Sequence, residues 1–199
     1  MEQSQARDRA LGYLADAAQT MAALTEACLD DILAASEIVI DAFRAGGALL
    51  ICGNGGSAAD AQHLATEFVS ALTLDHARPA MRAIALTTDT SALTAIANDF
   101  GVERMFARQV EAIGVAGDVL LAISTSGNSA NVLAAAETAR SRAMPVIALT
   151  GASGGGLAPM ADVAVRVPST ETAHIQECHL AIEQLLALLA ERAIYPDAS

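Results

Sequence analysis

The chain has no tryptophan, two tyrosines and four phenylalanines in 199 residues, so aromatic side chains cannot supply its core. Hydrophobic residues make up 53% of the chain and much of that share is alanine, which predicts an aliphatic core and closely packed helices. The three cysteines, Cys28, Cys52 and Cys178, show no CxxC spacing and build no disulfide framework. They are expected as free, mostly core-facing thiols of a protein in the reducing cytoplasm. No apolar run approaches the ~18 residues of a membrane span. Residues 1–8 lack the pattern of a signal peptide. Cationic residues number 11 against 23 acidic ones, a net charge of −12. That balance argues against general attraction to nucleic acid or to an anionic membrane. An anionic ligand would have to be held by local dipoles and hydroxyls.

Such a place is present. The apolar run 119–123 ends in Ser124-Thr125-Ser126-Gly127-Asn128-Ser129, and a helical pattern follows from Asn131. A helix's first turn leaves backbone N–H groups unpaired at the positive end of its dipole. Hydroxyls add neutral donors there, and Gly127 lets backbone approach a ligand closely. The loop contains no lysine, which excludes a Walker A nucleotide loop. The alternative to a phosphate cradle is a Ser-rich helix cap without a ligand.

Residues from about 7 to 45 read as helix, broken near Asp30-Asp31 and stopped by Gly46-Gly47. Five apolar runs follow, at 48–52, 83–86, 119–123, 146–149 and 163–167. They alternate with helical stretches near 58–72, 91–97, 104–113, 131–142 and 174–192. Alternation of this kind predicts parallel strands joined by helical crossovers, and continuous apolar strands predict a sheet covered on both faces. The expected fold is therefore α/β, a doubly wound parallel five-stranded sheet with an N-terminal helical extension. Residues 1–199 form a single unit in this reading, with 1–45 as the extension and 46–194 as the sandwich. Ligands of such sheets sit at the carboxyl ends of strands. The glycine-rich loop 151–156 reads as flexible, and the tail 195–199 as frayed.

The turn Gly53-Asn54-Gly55-Gly56-Ser57 follows the first strand and opens a helix. It lacks GxGxxG spacing, so a sugar or phosphate contact is favoured over a dinucleotide, and a plain tight turn is the alternative. Asp60, His63 and Glu67 stand on the helix that follows. His63 and Glu67, four apart, share one face and could ligate one metal ion, although an isolated pair of this kind is usually a surface pair. Gln176, Glu177, Cys178 and His179 open the last helix, with Glu183 and Gln184 two turns on. His76 and His174 have no evident partner and read as surface residues.

Together, GNGGSAADAQHLATEF, AIANDFG, LLAISTSGNSANVL and VPSTETAHIQECH resemble the sugar isomerase (SIS) domain proteins, specifically the phosphoheptose isomerases that act on sedoheptulose 7-phosphate. The resemblance runs in order over nearly the whole chain. It implies a homotetramer of flavodoxin-like sandwiches with active sites between subunits. It implies substrate contacts from Asn54, Gly55, Gly56, Asn98, Asp99, Glu67 and Gln176, and a phosphate loop of Ser124, Thr125, Ser126 and Ser129. It also implies one zinc ion (Zn2+) per subunit on His63, Glu67, Gln176 and a histidine eight residues later.

Here that residue is Gln184. Glutamine cannot act as a general acid or base near neutral pH and ligates metal more weakly than imidazole. His179 shares nearly the same helical face as Gln176, which leaves it a rescue role. Glu67 is the candidate base and Gln184 the position in question. A second SIS group, the scaffolds that bind the replication initiator DnaA, also lacks the histidine. It generally lacks the glutamate as well, which this chain keeps.

Overall fold

A computed structural model describes residues 3–73 and 75–196. Helix α1 (Gln3–Ala27) gives way at Cys28 to α2 (Leu29–Arg44), two residues before the sequence-based break. Asp30 and Asp31 in the first turn of α2 and Arg44 in its last turn complement the helix dipole. Five strands follow: β1 (Leu49–Cys52), β2 (Ala83–Ala85), β3 (Val119–Ile123), β4 (Val146–Thr150) and β5 (Val163–Arg166). Between and after them lie α3 (Gly56–Val69), α4 (Thr90–Phe100), α5 (Ala107–Ile113), α6 (Ala130–Ser141) and α7 (Thr172–Ile194). Residues Asp197, Ala198 and Ser199 of the expected frayed tail lie outside the described residues, whereas Tyr195 packs against the core.

All strand pairs are parallel and the order is β2-β1-β3-β4-β5. The doubly wound sheet read from the sequence is thus borne out. Because successive side chains point to opposite faces, each central strand feeds two cores. Leu49 and Ile51 of β1 join α2, α3 and α7 on one side, with Val119, Leu121, Ile147 and Leu149. Leu50 and Cys52 face α5 and α6 on the other, with Leu120, Ala122 and Val146. Ala135, Ala136 and Ala139 of α6 are fully buried, so the small residues set a close helix–sheet approach. All three cysteines are free and buried, and burial pushes the Cys52 thiol up to about 12 and that of Cys178 up to about 11. Cys178 is therefore a packing residue.

Two histidine readings need correction. His76 is buried and its Nδ1 lies 2.9 Å from Arg192 Nη1. His174 is buried beneath Tyr13 of α1, with ring centroids 4.6 Å apart, and its Nδ1 lies 3.0 Å from Glu177 Oε2. Both are covered by partners distant in sequence, which local pattern cannot disclose.

The α3–α7 seam is locked at its far end by an ion pair. Arg78 Nε donates to Glu191 Oε2 at 2.8 Å, and both side chains are 1% exposed. Arg78 also donates to the carbonyls of Phe68 and Glu67, tying the end of α3 to α7. Removing one partner alone leaves an uncompensated buried charge. Arg78→Met or Glu191→Leu should therefore each cost about 3–5 kcal/mol in urea unfolding. The double substitution should restore part of that loss, because neither charge is then left unpaired.

Candidate functional site

Two loops meet at the carboxyl ends of β1 and β3. After β1 the chain turns through Gly53, Asn54 and Gly55 into α3, and after β3 through residues 124–129 into α6. Their tie is a reciprocal amide pair. Asn54 Nδ2 donates to Asn131 Oδ1 at 2.9 Å, and Asn131 Nδ2 donates to Asn54 Oδ1 at 2.8 Å. Asn131 was not among the residues singled out from the sequence. It sits one residue inside α6 and reads locally as an ordinary helical position.

In the phosphate-type loop, Ser124 is buried and its Oγ lies 3.0 Å from Ser129 Oγ. Ser126 is exposed, and its Oγ accepts from Asn128 N at 3.1 Å. Gly127 has φ +67°, and a Cβ there would lie 2.1 Å from the Gly154 carbonyl oxygen. The loop 151–156, expected to be flexible, is packed on the phosphate-type loop. Gly156 N donates to Asn128 Oδ1 at 2.9 Å, and Arg166 donates to the Ala152 carbonyl from below. Its glycines serve close backbone contact.

Thr125, Ser126, Ser153, Ser169, Thr170 and Thr172 line a cavity of about 170 Å³ between these loops and the start of α7. Its lining contains no charged side chain. All 11 basic residues of the chain are arginine; there is no lysine. The cavity can therefore hold an anion through hydroxyls, backbone amides and the positive end of α7, whose first residue Thr172 lines it. Ser153, Ser169, Thr170 and Thr172 were missed at the sequence level, since they join the first loop only through the tertiary fold.

Beside this cavity α3 lies along α7. Gly56 carries Gln176 directly above its backbone: a Cβ at Gly56 would stand 2.5 Å from Gln176 Nε2. Two turns on, His63 Nε2 lies 3.2 Å from Glu67 Oε1, and the Gln184 amide nitrogen touches the same His63 atom. His63 is nearly half exposed and Glu67 mostly covered. The structure thus brings His63, Glu67 and Gln184 into contact and sets Gln176 at the mouth of the glycine turn. Asn98 and Asp99 are not part of this group. They are exposed at the end of α4 and bond each other, Asn98 Nδ2 to Asp99 Oδ1 at 2.7 Å.

His63 and Glu67 offer the nitrogen and oxygen donors that zinc takes. Their 3.2 Å spacing is close to the edge of ~3.4 Å between two ligands of a tetrahedral ion. The two amides, Gln176 and Gln184, are weaker donors. Among the described residues no three His, Cys, Asp or Glu side chains already stand at metal-holding distance. The set fits a divalent cation through His63 and Glu67.

Two neighbouring carboxyls are unusual. Glu183 is fully buried, and desolvation, with the Asp60 charge second, pushes it up to about 9. Burial also raises Asp60, against the opposing pull of His63. His179 has no rescue role in this arrangement. It is fully buried and turned to the sheet, its Nε2 3.2 Å from the Thr150 carbonyl oxygen.

Residues 12–151 match the family described as SIS domain. A phosphoheptose isomerase of Roseiflexus sp. is 53% identical over 166 residues, covering 83% of each chain. The structure of a phosphoheptose isomerase from Neisseria gonorrhoeae superposes with a TM-score of 0.87 at 43% identity, covering 92% of this chain and 97% of that one. One from Francisella tularensis superposes with a TM-score of 0.90 at 38% identity, covering 94% and 98%.

Burial lowers His179 to about 4, against 6.5 for the free imidazole. The unfolded chain therefore takes up a proton that the folded chain refuses. The stability contributed is complete above pH 6.5 and is lost as pH falls from there toward 4, by up to about 1.4 kcal/mol per pH unit. Urea midpoints measured from pH 7.5 to 4.5 should fall more steeply in the wild type than in His179→Gln, which does not titrate.

Proposed function

The chain belongs to the phosphoheptose isomerases of the SIS domain family, and we propose that it interconverts sedoheptulose 7-phosphate and D-glycero-D-manno-heptose 7-phosphate, feeding heptose biosynthesis. The observation that carries this reading is the contact of His63 with Glu67 and Gln184, together with a hydroxyl-lined cavity at the N-terminus of α7.

The substrate's phosphate is held at the loop of Ser124, Thr125, Ser126 and Ser129, of which Thr125 and Ser126 line the cavity. The sugar chain runs over Asn54, Gly55 and Gly56 toward Gln176 and Glu67. The Glu67 carboxylate removes a proton from C1 of the ketose, leaving an enediol, and returns it to C2 of the aldose. The hydroxyl proton passes from O1 to O2 in the same conversion. Fixing the phosphate keeps C1 and C2 within reach of one carboxylate through both transfers. Zinc, held by His63 and Glu67 with Gln176 and Gln184 as weak donors, would supply polarisation of the carbonyl and stabilisation of the enediolate oxygen.

Gln184 can hydrogen-bond a substrate oxygen but cannot exchange a proton with it. We assign this position a slowed reaction. Asn98 and Asp99 reach a site only from a neighbouring subunit. Helix α1 presents Leu11, Tyr13, Leu14 and Met21 outward, and no residue of α4 is buried. These uncovered faces support a homotetramer with sites between subunits. No helix among the described residues is long and apolar enough to cross a membrane, and we place the reaction in the cytoplasm. The alternative, a scaffold for DnaA, is favoured by the amide at 184. The Glu67 carboxylate kept against His63 favours catalysis.

Glu67→Gln should lower turnover of sedoheptulose 7-phosphate by ~10²–10⁴, because an amide cannot take the proton. Gln184→His should raise turnover above wild type. A coupled assay of the three proteins checks both. Equal turnover in wild type and Glu67→Gln would remove Glu67 as the base, and DnaA capture without turnover would favour the scaffold.

A further inference from the structure

Asparagine forms helix poorly, and its short side chain usually turns back to nearby backbone. Asn131, in the first turn of α6, is buried, and its side chain crosses 77 positions of sequence to reach Asn54. Asn54 is exposed, and its neighbours Gly53 and Gly55 carry no side chain that could hold it in place. The pair is reciprocal, with bonds of 2.9 and 2.8 Å. Turning over one amide alone would set nitrogen against nitrogen and oxygen against oxygen. The orientation of Asn54 is therefore dictated by that of Asn131.

The backbone that carries Asn131 also closes the hydroxyl loop. The Ser129 carbonyl accepts from Val132 N and Leu133 N at 3.0 Å each as α6 begins, and Ser129 Oγ lies 3.0 Å from Ser124 Oγ. One short path thus runs from the hydroxyl loop, through the first turn of α6 and the amide pair, to the turn at the end of β1. A carboxamide has two N–H donors and two oxygen lone pairs. The pair engages one of each on Asn54, which leaves one N–H and one lone pair on an exposed residue for a sugar hydroxyl to meet.

We propose that Asn131 is a positioning residue for the isomerisation: without touching the substrate, it fixes the plane of the Asn54 amide and its distance from the phosphate-holding loop. The proposal rests on the isomerase reading above and deepens it. A sugar phosphate anchored at the hydroxyl loop and met by Asn54 presents C1 and C2 to Glu67 only while those two holds keep a fixed span. With the Asn131 amide removed, the loop keeps its hydroxyls and Asn54 swings free between its glycines. The loss then falls on orientation for proton transfer and not on anchoring of the phosphate.

The test is a coupled assay of sedoheptulose 7-phosphate turnover, with inorganic phosphate as competitive inhibitor, on wild type, Asn131→Ala, Asn54→Ala and the double variant. Asn131→Ala should lower kcat by ~10–10²-fold, the scale of a small misplacement of reacting groups, and leave the phosphate inhibition constant unchanged. In the Asn54→Ala background the same substitution should lower kcat no further, because its effect runs through Asn54. Asn131→Asp keeps the side chain's shape but cannot donate to Asn54 Oδ1. It should lose kcat as well, which a contact of shape alone would not, and it serves if Asn131→Ala does not fold. Wild-type kcat in both Asn131 variants would overturn the proposal and leave the isomerase reading standing. So would an equal loss of kcat with and without Asn54, or a loss of phosphate inhibition together with kcat. Absence of turnover by the wild type would overturn the reading and the proposal together.

Discussion

A parallel sheet ordered β2-β1-β3-β4-β5 sends its crossovers in opposite directions from the seam between β1 and β3. The loops leaving those two strands part, and a crevice opens at their carboxyl ends. The candidate groups of α3, α7 and the two loops are referred to that crevice; Asn98 and Asp99 are not. The turn after β1 starts α3 and so aims Asp60, His63 and Glu67. The turn after β3 starts α6 and supplies the hydroxyls. Asn54 and Asn131 bridge the gap with two hydrogen bonds between their side-chain amides, which tie the loops together. The α7 start closes the third side, with Gln176 pressed on Gly56.

The electrostatics follow from composition. A chain of net charge −12 without lysine repels anions at long range. It can bind one only where helix ends and hydroxyls converge in a small volume, where local dipoles outweigh a screened distant charge. The neutral cavity supplies that convergence, and the acidic seam beside it supplies a base.

The fold was legible because β1, β3 and β4 are buried on both faces, which leaves continuous apolar runs that no alternating strand would show. The loop after β3 was legible because its hydroxyls lie side by side in sequence. Other features depend on tertiary contact. His76 and His174 read as surface residues until Arg192 and Tyr13 cover them. The glycine-rich loop 151–156 reads as flexible, yet its glycines allow two backbones to touch at Gly127 and Gly154. Glu183 carries no sequence signal at all. A glutamate in a helix reads as solvated, and only the packing of α3 on α7 reveals that this one is buried beside Asp60. Gln184 is the converse: its sequence signal was plain, and the structure adds the touching partner, His63.

An enediol exchanges its carbon-bound proton with the base, and the base exchanges with solvent. The most direct test of the account is therefore proton NMR of sedoheptulose 7-phosphate incubated with the purified protein in deuterium oxide. The account predicts aldose anomeric signals, with deuterium entering C1 of the ketose and C2 of the aldose. Unchanged sedoheptulose 7-phosphate, without aldose and without deuterium at C1, would contradict it.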